Sequence, residues 1–132
     1  MQVSIVSPEQ EVWRGDADMV VARSPEGEFG IMQGHIPFLA ALVPGRVAVV
    51  SGNDREEFFV PGGFLEASGS RDDYHVIVLA DSAENLAEID VAEARRIAEE
   101  AQRRHDEDTD ERAEAEMRIA LARVEIAESR GQ

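Results

Sequence analysis

The sequence predicts an all-β N-terminal domain, a sandwich or barrel, followed by a C-terminal antiparallel α-helical hairpin. Three observations carry this. Up to about Ala80, short β-branched and aromatic runs are broken by turn residues at intervals of roughly eight to twelve. From Asp90 to Arg130 there is no Pro or Gly, and Ala, Glu and Arg dominate, which is a helix-forming composition. The change falls at about Ala83, dividing the chain into a β domain over 1–84 and a helical segment over 88–132.

The β elements follow in order. Gln2-Val3-Ser4-Ile5 alternates polar with apolar, and Ser7-Pro8 turns the chain. Val12-Trp13 continues to Gly15. Met19-Val20-Val21-Ala22 is closed by Ser24-Pro25-Glu26-Gly27. The stretch from Gly27 to Leu42 reads as a short strand, a tight shaped loop and then an apolar patch. Its glycines let backbones approach closely, while Pro37 stops any helix and biases Ile36 to an extended conformation. Arg46-Val47-Ala48-Val49-Val50 is a strand, Gly52-Asn53-Asp54 is a hairpin signal, and Glu57-Phe58-Phe59-Val60 returns. Pro61-Gly62-Gly63 interrupts before Phe64-Leu65-Glu66-Ala67. The polar run Ser68 to Asp73 is expected to be a loop, and Val76-Ile77-Val78-Leu79 a fully buried last strand.

Two helices are expected, over 90–105 and 110–129. Asp90 and Glu93 have capping-box spacing, and Thr109 or Asp108 is placed to cap the second helix. The first helix puts Val91, Ala94, Ala98 and Ala101 on one side, with Ile97 beside them. Such small side chains permit close approach but bury little area, so at about 25 cal/mol per Å² the hairpin alone is marginal. It should be held by packing on something, and be able to come loose. The second helix has an apolar face of Ala113, Met117, Ala120, Leu121 and Val124. Away from it runs a mixed stripe: Ile119 and Ile126 with Arg112, Arg123 and Arg130. One reading is a solvated arginine face with two stray isoleucines; the other is a docking face for an acidic, partly apolar partner.

Composition excludes several functions. With 28 acidic residues against 13 basic ones the formal charge is −15, which opposes nucleic acid and anionic membrane surfaces. All the basic residues are Arg. Cysteine is absent, so disulfides and thiolate metal sites are excluded. No apolar run approaches the length of a membrane span. The N-terminus opens on strand-like sequence without a leader pattern, which points to the bacterial cytoplasm, with a plastid-encoded origin also open. The spacing Gly27-x-x-Gly30-x-x-x-Gly34 fits neither nucleotide fingerprint. His35, His75 and His105 sit in separate segments without the i, i+4 partner of a helical metal site. His35 as a general base has no nucleophile near it in sequence. No catalytic residues and no metal site are assigned.

Five ordered motifs resemble one family. They are Val6-Ser7-Pro8-Glu9 with Val12-Trp13-Arg14-Gly15; Gly27-Glu28-Phe29-Gly30-Ile31-Met32-Gln33-Gly34-His35-Ile36-Pro37, followed by Pro44-Gly45; Gly62-Gly63-Phe64-Leu65-Glu66; Val78-Leu79-Ala80-Asp81 with Ala83-Glu84; and Ile89-Asp90. Together they are similar to the epsilon subunit family of bacterial F-type ATP synthase, called delta in mitochondria. The resemblance runs nearly end to end. It implies a flattened β-sandwich of about ten strands, then the helical hairpin. It implies a non-catalytic rotor subunit of the central stalk. The sandwich would bind the gamma subunit and sit on the c-subunit ring, coupling proton flow and rotation to ATP synthesis. The helices would restrain ATP hydrolysis at the beta and alpha subunits of the catalytic head. The location implied is peripheral, at the cytoplasmic face of the bacterial inner membrane, without lipid insertion.

By residue match, the resemblance makes Glu28, Phe29, Gly30, Ile31, Met32, Gln33, Gly34 and His35 the contact loop for the ring and gamma. The stripe Arg112, Ile119, Arg123, Ile126 and Arg130 becomes the candidate beta-subunit contact. Some family members bind ATP through an Ile/Leu-Asp-x-x-Arg-Ala motif, matched here at Ile89, Asp90 and Ala94. Glu93 stands where the Arg would be. A carboxylate there repels phosphate, with Arg95 and Arg96 as partial substitutes, so no cofactor is expected. The alternative of another class is a free-standing β-sandwich ligand-binding module with a helical self-association tail.

Overall fold

The computed structural model describes residues 1–130. The chain divides into two units, the first Met1–Asn85 and the second beginning at Leu86. The first contains strands β1 (Gln2–Val6), β2 (Glu11–Asp16), β3 (Met19–Ser24), β4 (Gly27–Met32), β5 (Phe38–Leu42), β6 (Gly45–Ser51), β7 (Asp54–Val60), β8 (Gly63–Ser70), β9 (Asp73–Ala80) and β10 (Glu84–Asn85). They form two five-stranded sheets, ordered β2-β1-β9-β8-β5 and β10-β7-β6-β3-β4. Strand β1 runs parallel to β9. The expected sandwich and helical hairpin are both present.

Period-2 alternation builds the core. Val3 and Ile5 of β1, Val76 and Val78 of β9, and Leu65 and Ala67 of β8 are buried from the first sheet. Val20 and Ala22 of β3, Val47 and Val49 of β6, and Ile31 of β4 are buried from the second. Each fully buried Val, Leu or Ile contributes about 1.5–3 kcal/mol. Gly63 is required where β8 begins. Its φ is +134°, and a Cβ there would run into the carbonyl oxygen of Leu79.

Four local expectations are corrected. The polar run 68–73 is mostly strand, because Ser68↔His75, Gly69↔Tyr74 and Ser70↔Asp73 continue the β8–β9 ladder and leave only Arg71 and Asp72 to turn. Val76–Leu79 is not fully buried: it alternates, and Leu79 is exposed. The apolar patch after Pro37 is strand β5, with Leu42 inward and Leu39 outward. The short β10 pairs with β7 beyond the expected last strand.

In the second unit a short 3-10 turn, Leu86–Glu88, precedes α1 (Val91–Glu107) and α2 (Glu111–Glu128). Asp90 caps α1, its Oδ1 accepting from the Glu93 amide at 3.1 Å. The second cap is Asp110, accepting from the Ala113 amide at 2.7 Å, rather than Thr109 or Asp108. Thr109 instead donates its hydroxyl to the His105 carbonyl, and Asp108 closes the end of α1. The helices meet antiparallel along Ala98, Ala101 and Ala120, flanked by Ile97, Met117 and Val124. Leu121, expected on the packed face, is exposed. The alanine seam brings the helices close with little buried area. Arg95 pairs with Glu128 at 2.7 Å across one end.

Candidate interaction site

The loop of residues 33–37 crosses from β4, the edge of one sheet, to β5, the edge of the other. Alternation on β4 divides the eight predicted contact residues. Glu28, Gly30 and Met32 point outward and are exposed, as are Gln33 and Gly34. Ile31 lies in the core at 1% exposure and is withdrawn from any partner. Phe29 is half-buried, packed on Phe38 with ring centroids 5.3 Å apart. His35 is half-buried, edge-on to Phe38 at 5.6 Å, and its amide donates to the Met32 carbonyl at 3.1 Å. Its Nδ1 lies 2.8 Å from the Ile36 carbonyl oxygen. His35 thus lies against the Phe38 ring and the Ile36 carbonyl. Among the described residues no three His, Asp or Glu side chains converge as a metal site.

Strand register reveals an apolar surface beside this loop. Val6↔Leu79, Leu79↔Phe64 and Phe64↔Ala41 form one continuous row across the outer face of the first sheet. Leu39 lies in the adjacent row, opposite Glu66. Ile36 in the loop and Leu39, Phe64 and Leu79 on the sheet are 52–73% exposed, and clustered exposed apolar side chains mark an interaction surface. The expected contact residues end at His35 and include none of the four, although Ile36 and Leu39 fall in the expected apolar patch. A signal was available: Glu66 must face water, so Phe64, two residues earlier on the same strand, shares that face.

On α2, Arg112 is exposed and pairs with Glu116 at 3.3 Å, while Ile119, Arg123 and Ile126 are half-buried. Arg130 is used within its own unit: its Nη1 donates to the carbonyls of Leu86 at 2.8 Å and Ile89 at 3.1 Å. The structure therefore does not present the five stripe residues as one free face. The residues matched to the ATP motif fare similarly. Ile89 and Ala94 are buried at 4% and 1%, and Asp90 uses one carboxylate oxygen as the helix cap. Among the described residues no helix is long and apolar enough to cross a membrane.

Comparison with known proteins agrees with this geometry. Residues 1–86 match the family model of the ATP synthase delta/epsilon chain β-sandwich domain. The ATP synthase epsilon chain of Hydrogenovibrio crunogenus is 43% identical over 135 residues, covering 100% of this chain and 85% of that protein. The sodium ion specific epsilon chain of Propionigenium modestum is 39% identical, covering 96% and 93% respectively. Among solved structures, a chain of the Euglena gracilis mitochondrial ATP synthase, in an assembly of OSCP, F1 and c-ring, superimposes with a TM-score of 0.78 at 26% identity, covering 96% of this chain and 78% of that one. These matches favour a synthase subunit over a free-standing ligand-binding module. With its sandwich, its helical hairpin and full-length similarity to bacterial epsilon chains, the chain belongs to the ATP synthase delta/epsilon family.

Proposed function

We propose that the chain is a rotor subunit of the central stalk, with no catalysis of its own, that grips two partners through one corner of its sandwich. The observation that carries this is the apolar outer face of the first sheet, continuous with the exposed loop. Val6, Ala41, Phe64 and Leu79, with Leu39 beside them, supply an apolar surface suited to the gamma subunit. The exposed loop residues Glu28, Gly30, Met32, Gln33 and Gly34, with His35, supply the contact to the c-subunit ring. The subunit then transmits ion-driven rotation to the alpha and beta subunits while peripheral to the membrane, on the cytoplasmic side. The hairpin restrains hydrolysis through Arg112 and its neighbours. It is not a nucleotide sensor, a reading supported by Glu93 and by the burial of Ile89 and Ala94.

The test is reconstitution with gamma. Phe64→Asp places a charge in the middle of the apolar row and is expected to abolish copurification with gamma while leaving the exposed site's own fold intact. Unimpaired copurification would reject the face.

A further inference from the structure

The loop between β4 and β5 lacks a strand ladder, yet side chains from elsewhere hold it to one shape. Gln33 Nε2 donates to the Arg71 carbonyl in the β8–β9 turn at 2.7 Å. Tyr74 lies on β9 with only 2% of its surface exposed, and its hydroxyl donates to the Ile36 carbonyl at 3.2 Å. A phenylalanine would fill the same space; the hydroxyl is there for a partner. The Ile36 carbonyl has two lone pairs, and the second faces His35 Nδ1 at 2.8 Å. An acceptor nitrogen would be repelled by a carbonyl oxygen, so Nδ1 carries the proton. In the neutral ring Nε2 is then left as an acceptor for whatever the loop meets.

We infer that Tyr74 is a positioning residue of the contact surface: its hydroxyl fixes the Ile36 carbonyl, which sets the tautomer and orientation of the His35 ring. Gln33 secures the other half of the same loop to the β8–β9 turn. The role of this loop against a partner rests on the function proposed above; the brace itself does not. A contact residue is thereby controlled by a buried group that touches no partner.

The experiment uses the full chain and Tyr74→Phe. The variant keeps the ring and removes one oxygen, so the melting temperature is expected to stay within a few degrees. The His35 amide, bonded to the Met32 carbonyl, is expected to exchange about three- to tenfold faster, the effect of losing one net hydrogen bond. The His35 ring nitrogen shifts are expected to move toward a mixture of tautomers. Val78→Ala is the comparator. It lies deeper on the same strand, and should lower the melting temperature while leaving His35 unchanged. An unchanged His35 in Tyr74→Phe overturns the inference, as does an equal response in Val78→Ala. Proton pumping by the assembled complex separates the two claims. If His35 responds and pumping is intact, the brace stands and the ring-contact reading fails.

Discussion

Gly30 offers a perturbation whose two effects should have opposite signs. It lies on β4 at the edge of its sheet, exposed, opposite Val21. Its backbone is outside the left-handed region, and a Cβ built on it comes no closer than 3.5 Å, to the Met19 sulfur. That is ordinary contact with the end of a flexible side chain. Glycine within a strand costs about 0.5–1 kcal/mol relative to alanine, and a β-branched residue opposite Val21 adds about 0.2–0.5 kcal/mol. Gly30→Val should therefore stabilise the isolated chain by about 1 kcal/mol, raising the melting temperature by about 3–5 °C. Against a close-fitting partner the same methyl groups are an overpacking defect of about 1–3 kcal/mol. Thermal unfolding of the chain and ATP-driven proton pumping by the assembled complex are the assays. A stabilised chain with full coupling would show that β4 faces water at this point, and a destabilised chain would refute the strand geometry. Gly34 is a poorer probe. Its φ of +89° makes any side chain cost about 1–2 kcal/mol before a partner is met.

Other positions have definite expectations. Gly63→Ala should cost about 2–4 kcal/mol in denaturant unfolding, because the new Cβ meets the Leu79 carbonyl and the φ is left-handed. Arg112→Ala should relieve inhibition of hydrolysis without changing hairpin helicity, whereas Arg130→Ala should loosen the α2 end by freeing the Leu86 and Ile89 carbonyls; circular dichroism and hydrolysis rates distinguish them. Calorimetry of the isolated chain should show no ATP binding at sub-millimolar concentration, and binding there would show that Glu93 does not abolish the site. Stability should decline above pH 10. Burial raises the Tyr74 pKa from 10.0, so its contribution is fully present below the unfolded value and is lost as pH climbs through the folded one. The chain has one Tyr, no Cys and no Lys, so Tyr74→Phe should flatten that alkaline limb in a pH series of melting temperatures.

Much of the fold was legible because its signals are local. Turn dipeptides end the strands, Pro and Gly vanish where the helices begin, and Asp90 sits three residues before Glu93. The misses came where distant pairing overrules composition. Ser68, Gly69 and Ser70 look like loop, yet the β8–β9 ladder carries them. Leu121 looks like core on a helical wheel. The seam instead centres on Ala98, Ala101 and Ala120 with Ile97, Met117 and Val124 filling its flanks, and Leu121 falls outside it.

The site shows the same division. Its glycines marked the loop as shaped, since Gly34 needs a left-handed backbone whatever its neighbours are. They could not say that Ile31 turns inward while Met32 turns outward, a difference set by the phase of β4 against the core. Nor could they join Val6 to Leu79, Phe64 and Ala41, which lie far apart in the chain and become one row through strand register. Register is where function enters this fold. A one-residue slip of β8 would move Phe64 into the core and Leu65 out. Gly63 opposes the slip that would seat Phe64 in its place, because only glycine fits against the Leu79 carbonyl at the start of the strand. One backbone contact at the start of β8 thus helps to keep the apolar face assembled.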